Sequence, residues 1–526
     1  MGNAWPETVV LWGAGATKSA GLLTNSDIAR ALTHILEQPY PDFRLDYSRL
    51  FPGISVSDRL KEGFNKLLSQ LCSDDKLYRA YDLEALRYIA KSSPKSLDLV
   101  TGLKANLKLQ ELFTLIDQLI DNNLGIETLN DKGEEFFIEQ PRISAAKNCL
   151  KLLTEELQRV AVQGDTQARI SKAQFYHDFA DTLSELMIRE ACEYEKMGFK
   201  EDTRDFYLFS YAIVSFNWDP LIIWALFNAH KNRNDNPPYI RNLPLRLFMD
   251  LGTTIATRKI DKNNNIILYS ANETQAIKIN DSDYPSRIMR MGKLLYPHGI
   301  FGSRQCPQCG KLVISFGHVW DRHSALVFGP SLIKELQQGW HYNEGEENDP
   351  GVIKCPFCDQ KTHPYDMPLE LQTVIKKRPI APLEEIKKEM GLLIKHAKHI
   401  IFAGYSMPMD DISEKVFIAS SLSGKKIEEK KCTIIEYDPH YYTELDWLEG
   451  ADILAYLRTR TDCKTVRAVN NILSIFDLSQ TRLTLKGIPE IFNCYGNMEQ
   501  AVIEIFYGGN FPPVRTGGQF SCAQNS

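Results

Sequence analysis

The chain has 526 residues, of which 43% are hydrophobic and 24% charged, with a formal net charge of −6. Such a composition is globular and the length suits about two to four domains, whereas the acidic balance argues against a surface that coats nucleic acid. No apolar run reaches the roughly 18 residues that span a bilayer, and Met1-Gly-Asn-Ala-Trp-Pro6 reads as neither a signal peptide nor a myristoylation site. Of eleven cysteines, seven are scattered singly (Cys72, Cys149, Cys192, Cys432, Cys463, Cys494, Cys522). A secreted disulfide framework is denser and shorter, so the expectation is a soluble, cytoplasmic protein with reduced thiols and no membrane partner.

The first element is the apolar run Thr8-Val-Val-Leu-Trp12, broken at Gly13-Ala-Gly15. β-Branched enrichment ending in glycine predicts a buried parallel strand entering a tight turn. Ala16–Ala20 then reads as the opening of a helix, followed by another from Asp27 to Leu36. From Val56 to Arg204 the periodicity is helical, as at Leu150, Leu153, Leu157 and Val160, and again at Phe179, Leu183 and Leu186. We read residues 56–205 as a large α-helical insertion.

A second strand, Ala212-Ile-Val-Ser-Phe216, ends at Asn217-Trp218-Asp219. Strand-like fragments and polar turns fill the stretch from Asn232 to Asp283. A helix near Leu383–Lys395 precedes the strand His399-Ile-Ile-Phe-Ala403, which ends at Gly404-Tyr405-Ser406. After a helix from Asp411, the strand Cys432-Thr-Ile-Ile-Glu436 ends at Tyr437-Asp438-Pro439. Beyond Glu444 the chain reads as mainly helical. Strands alternating with helices predict an α/β fold, a parallel sheet with helices on both faces, whose ligands bind beyond the strands' carboxyl ends.

Each strand end has a chemical and an ordinary reading. The glycines Gly13 and Gly15, flanking Ala14, allow close approach of a pyrophosphate, or form a plain turn. Asn217 offers a donor and an acceptor suited to a ribose or a water. Asp219 suits the same site or, before Pro220, a helix cap. Gly404 and Ser406 suit a phosphate or ribose, or a turn. His298, between Pro297 and Gly299, is a candidate general base at neutral pH, or an exposed loop histidine.

Downstream of His298, Cys306-Pro-Gln-Cys309 and Cys355-Pro-Phe-Cys358 are separated by residues 310–354. Two such pairs supply the four thiolates of a closed, structural zinc site, the alternatives being unrelated thiols or a redox pair. The intervening stretch contains the acidic loop His341–Pro350.

In this order the segments resemble the sirtuin family (silent information regulator two). Gly13-Ala-Gly-Ala-Thr17-Lys-Ser-Ala-Gly21 looks like its glycine loop. Asn217-Trp-Asp219 looks like its Asn-x-Asp, His298-Gly299 like its catalytic His-Gly, and the cysteine pairs like its zinc module. Gly404-Tyr-Ser406 is similar to its Gly-Thr-Ser. The resemblance implies a Rossmann-like domain in three parts (residues 1–55, 206–298 and 364–445), a zinc module over 299–363, and a helical region 446–526 that serves as an oligomer or partner interface. It implies NAD binding by Gly13, Ala14, Gly15, Thr17, Asp219, Gly404, Ser406 and Asp438, with Asn217 and His298 catalytic and zinc on Cys306, Cys309, Cys355 and Cys358.

The family's nicotinamide-pocket arginine segment is replaced here by Leu23-Thr-Asn-Ser26, and its glutamine before Asn217 by Phe216. These departures resemble divergent prokaryotic antiviral-defence effectors that hydrolyse NAD. Such effectors are homo-oligomers or work with a sensor or ATPase partner. The alternatives within the resemblance are an NAD-dependent protein deacylase, an ADP-ribosyltransferase, and a non-catalytic NAD or ADP-ribose sensor.

Overall fold

The run Thr8–Trp12 is buried at every residue, so it needs neighbours along both edges and cover on both faces. A computed structural model describes residues 5–93, 95–97, 104–163, 166–200, 204–253, 255–260, 266–268, 288–314, 328–336, 351–355, 357–371, 373, 379–407, 412–422, 430–441, 445–459 and 463–511. In it this strand, β1, lies within a sheet of nine strands among the described residues. The others, in chain order, are Leu208–Ser215 (β2), Tyr239–Ile240 (β3), Leu243–Asp250 (β4), Ile288–Leu295 (β5), His399–Ala403 (β6), Lys431–Ile435 (β7), Leu448–Glu449 (β8) and Thr481–Thr484 (β9). The helices that matter below are Asn25–Leu36 (α1), Leu109–Asp121 (α2), Gln140–Gln163 (α3), Thr166–Lys196 (α4), Leu221–Asp235 (α5), Ala381–His396 (α6), Ile412–Leu422 (α7) and Met498–Tyr507 (α8).

Across the sheet the order is β8-β9-β7-β6-β1-β2-β5-β4-β3. Every pair is parallel except the outermost on each side, β8 with β9 and β3 with β4. The molecule is a mixed α/β structure with a large, mostly parallel sheet and many helices. β1 pairs in register with β6 (Trp12 opposite Ala403) and with β2 (Trp12 opposite Ser215), so the three strand ends are level. Chain order reverses at β1, with β2 on one side and β6 on the other. In open parallel sheets a crevice forms at such a reversal.

The helical periodicity of residues 56–205 matches helices Asp58–Ser73, Leu83–Ser92, α2, α3 and α4, and its marker residues are fully buried. The same stretch also contains an antiparallel hairpin, Ile126–Leu129 with Glu135–Ile138.

At three points the structure departs from or adds to the sequence reading. No α-helix opens at Ala16–Ala20. Two 3₁₀ turns, Ala14–Ala16 and Lys18–Ala20, stand there instead, and α1 begins only after Thr24, which caps it together with Asp27. The cause is the neighbouring strand end: Gly13 N donates to Ala403 O and Gly15 N to Gly404 O, which ties the segment to the β6 loop. Second, β5 was not recognisable in the sequence because Arg290 and Lys293 interrupt its apolar run. Both are buried in ion pairs, Arg290 with Glu190 of α4 and Lys293 with Asp250 and Glu389. Removing one partner of such a buried pair costs about 3–5 kcal/mol. Third, the sheet does not end at residue 445. β8 and β9 extend it, and α8 packs beneath its centre, where Thr8 Oγ1 donates to Phe506 O at 2.8 Å. The strand Thr-Arg-Leu-Thr484 is too short and polar to stand out from its sequence.

At the start of β6, His399 is held at both ring nitrogens, 2.7 Å from Thr433 Oγ1 and 3.2 Å from Phe506 O. Burial, aided by the Arg482 charge, pushes its pKa down to about 3, and burial alone pushes that of His230 down to about 4. Both histidines therefore stay neutral when folded but take a proton when unfolded below the ordinary value of 6.5. Their contribution to stability is intact above that pH and falls as pH drops from 6.5 toward about 4, by up to about 1.4 kcal/mol per unit for each group. In urea titrations at pH 7 and 4.5, His399→Gln is expected to lose about 2 kcal/mol less between the two conditions than the parent. An equal loss would contradict the assignment.

Candidate functional site

Beyond the ends of β1, β2, β5, β6 and β7 lies a cleft of about 1120 Å³. That is ample for a dinucleotide-sized ligand. Gly13, Ala14, Gly15, Thr17, Asn217, Asp219, His298, Gly404 and Ser406 all line it. Segments separated by up to several hundred residues are thus brought together, and only Asp438 among the candidates outside the cysteine cluster is left out.

The floor is a contact between two backbones. A Cβ on Gly13 would lie 2.5 Å from Gly404 O, and one on Gly404 would lie 2.2 Å from Ala16 N. Gly404 also has a φ of 60°, the left-handed region that favours glycine. These glycines are required by the meeting of the β1 and β6 loops, whatever ligand the cleft takes. At its rim, the N-terminus of α1 opens into the cleft through Thr24, Asn25 and Ser26.

From the β2 end, Asn217 Nδ2 donates to Thr17 Oγ1 at 3.1 Å, and that hydroxyl lies 3.3 Å from Asp219 Oδ2 as donor. The other Asp219 oxygen accepts from Leu221 N at 3.1 Å. Asp219 therefore braces the start of its own helix with one oxygen and the glycine loop with the other, but it is not the N-cap expected from Pro220: Pro220 itself holds that position and α5 starts at Leu221. Burial pushes its carboxyl up to about 6, with the Leu221 and Thr17 bonds opposing the rise.

His298 sits three residues beyond β5 and is 1% exposed. Its loop is tied to the Asn217 loop by Phe301 N donating to Trp218 O at 2.7 Å, and to the following chain by Glu370 N donating to His298 O at 2.9 Å. Phe216 packs edge-on against the imidazole at 5.2 Å and stacks on Tyr405 at 4.1 Å. The ring's Nε2 lies 3.3 Å from Glu414 Oε1 of α7. Lys387 of α6 lies 2.8 Å from both Glu414 and Glu370. His298, Glu370 and Glu414 hold ligand atoms within 4.8 Å of one another, but the positive charge among these acids is already Lys387.

At the end of β7 the structure departs from expectation. Asp438 turns away from the cleft to accept from Tyr456 Oη and His440 N, each at 3.0 Å. Glu436 lines the cleft instead, with Oε1 shielded from solvent and without a hydrogen-bond partner. Burial pushes its carboxyl up to about 7, opposed by Lys464. A charged residue closing an apolar strand was the available signal for Glu436. For Glu414 and Lys387, on helices far along the chain, there was none.

The helical region forms one wall. Gln158 of α3 lines the cleft, accepting from Leu23 N at 2.8 Å and donating to Leu23 O at 2.7 Å. Tyr176 of α4 donates to Ala16 O at 2.7 Å. Phe113 of α2 meets Trp218 edge-on at 6.4 Å.

The four cysteines gather away from the cleft. Cys306 and Cys309 follow the strand Ser303–Gln305, which pairs with Leu312–Ile314; Cys355 and Cys358 follow Ile353–Lys354, which pairs with Lys361–Thr362. The two turns are built alike. Cys306 N and Cys355 N donate to Lys311 O and Gln360 O, and Gly310 N and Asp359 N return to the carbonyls of Cys306 and Cys355. Sulfur separations are 3.5 Å for Cys306–Cys358 and 3.6 Å for Cys309–Cys355, and all four fall within 4.8 Å. Tetrahedral zinc thiolates lie about 3.8 Å apart, so the group is compatible with a structural zinc. Among the described residues its own apolar core is Val313 and Ile353 besides the cysteines, with Phe357 packed on it, a small core that a bound metal would brace. His363 stacks on Tyr365 at 4.8 Å and is no part of this group. His318, His323 and the loop 341–350 lie outside the described residues.

No protein-family model matches the chain, and no curated protein matches it in sequence. Elemental analysis is expected to find about one zinc per chain, and Cys306→Ser with Cys355→Ser to lose it together with several degrees of thermal midpoint. Full metal content in the double variant would contradict the assignment.

Proposed function

We propose that the chain is a sirtuin-like NAD hydrolase that cleaves the nicotinamide–ribose bond to give nicotinamide and ADP-ribose, as an effector of antiphage defence by NAD depletion. The doubly wound, Rossmann-like reading of the sheet, the reading of residues 56–205 as an insertion, and the homo-oligomer with a sensor or ATPase partner belong to the same proposal. One observation carries it. Asn217 and His298, picked out from separate motifs, line one cleft at the sheet's reversal point together with the glycine loop and Ser406.

In this reading nicotinamide departs with the electron pair of its bond to ribose, leaving positive charge on the sugar. Asn217 orients the ribose and the attacking water. His298 takes a proton from that water or a ribose hydroxyl. The Gly13–Gly15 loop and Ser406 hold the phosphates. The role in binding the adenosine ribose passes from Asp438 to Glu436, whose free oxygen faces the need for a hydroxyl donor. Phe216, stacked on Tyr405 and edge-on to His298, occupies the position where the family places a polar amide, which favours water over a peptide as acceptor.

Chromatography of NAD incubated with the protein is expected to show nicotinamide and ADP-ribose in equal amounts. Loss of the general base in His298→Ala should slow turnover by about 10²–10⁴-fold, and Asn217→Ala by about 10²-fold. Parent activity in both variants would sink the proposal. NAD consumption only in step with an acyl-lysine peptide would replace it with a deacylase.

A further inference from the structure

Among the described residues, the charged group nearest the His298 ring has no part in the reaction scheme above. Glu414, 2% exposed at its side chain, lies 3.3 Å from His298 Nε2 through Oε1. It lies near the start of α7, in a part of the chain that carries no recognisable site motif. A carboxylate removed from water beside an imidazole must be explained by what it stabilises. We propose that Glu414 is the positioning residue of His298. It holds the proton on Nε2, leaves Nδ1 as the proton acceptor, and stabilises the imidazolium formed during the reaction. This rests on the hydrolase reading above.

Three features support the assignment. Burial pushes the Glu414 carboxyl up, but the His298 ring and the Lys387 ammonium outweigh it and hold the group far below the usual carboxylate range, so it remains ionised. Lys387 in turn is shared with Glu370, whose backbone N–H grips the His298 carbonyl. Carboxylate, ring and loop are thereby braced by one another. Finally, Nδ1 is buried without a hydrogen-bond partner, and the Nε2 contact is an ion-pair approach, not an aligned hydrogen bond. The carboxylate is thus placed to accept a charge-assisted hydrogen bond from the ring as the proton is transferred.

The step balances as follows. A water proton moves to Nδ1 while the oxygen's lone pair forms the new bond to ribose C1′. The C1′–nitrogen electron pair leaves with nicotinamide, whose ring loses its positive charge. The imidazolium, facing Glu414, then returns the proton to solvent.

The test compares Glu414→Gln, Glu414→Asp and His298→Ala in the full chain, with steady-state kinetics on NAD and long-range ¹⁵N–¹H correlation of the histidine rings. We expect Glu414→Gln to lower kcat by about 10–100-fold with KM within about twofold, and Glu414→Asp to recover part of the loss. The ring spectrum should show His298 with its proton on Nε2, and Glu414→Gln should disturb that state. An Nδ1-protonated ring in the parent, or unchanged kcat in Glu414→Gln, overturns the inference. If His298→Ala is inactive while Glu414→Gln is not, the hydrolase reading stands and only this inference falls. If His298→Ala keeps full activity, the general-base role of His298 falls and this inference with it; if the parent releases no nicotinamide from NAD, the hydrolase reading falls, and the ring spectrum still decides whether Glu414 sets the tautomer.

Discussion

Two glycine backbones in contact set the geometry of the cleft. Gly404 places its backbone against Ala16 and Gly15 so closely that no Cβ fits, and Gly13 returns the constraint against Tyr405. Because β1 and β6 are parallel and in register, their loops arrive at the same level and must share this space. The contact also diverts the segment after Gly15 from an α-helix into two 3₁₀ turns. Thr17 is thereby placed between Asn217 and Asp219, so the geometry of a third strand end depends on the meeting of the first two.

Around this floor, buried charges join elements that are far apart in the chain. Arg290 of β5 pairs with Glu190 of α4; Lys293 pairs with Asp250 of β4 and Glu389 of α6; Lys387 pairs with Glu370 and Glu414. Such pairs add little net stability over apolar packing, but breaking one leaves an uncompensated charge. They hold a particular register: β5 is locked to its neighbours, and His298 follows directly from its end.

The helical region is continuous with the cleft. On α3, Gln158 brackets Leu23 just after the glycine loop, and the adjacent Arg159 donates to Gly329 O at 2.7 Å while Glu156 accepts from Ser331 Oγ at 2.8 Å. One helix thus touches both the β1 loop and the segment that follows the first cysteine pair. A shift of α3 along its axis would move both together, since packed cores transmit displacement with little loss.

The sequence alone determined the parts governed by short-range rules. Apolar runs such as Thr8–Trp12 and His399–Ala403 predicted buried parallel strands, helical periodicity predicted α3 and α4, and the paired Cys-x-x-Cys spacing predicted one four-sulfur cluster. Its motifs also picked out nine of the residues that line the cleft. Only the tertiary structure decided what depends on partners distant in sequence. β5 was masked by Arg290 and Lys293, whose charges make sense only beside Glu190, Asp250 and Glu389. Asp438 and Glu436 exchanged places because Tyr456 and His440 claim the Asp438 carboxylate. Glu414 has no local pattern at all: its meaning comes from His298, more than a hundred residues earlier, and from a packing of α6 and α7 that periodicity cannot encode.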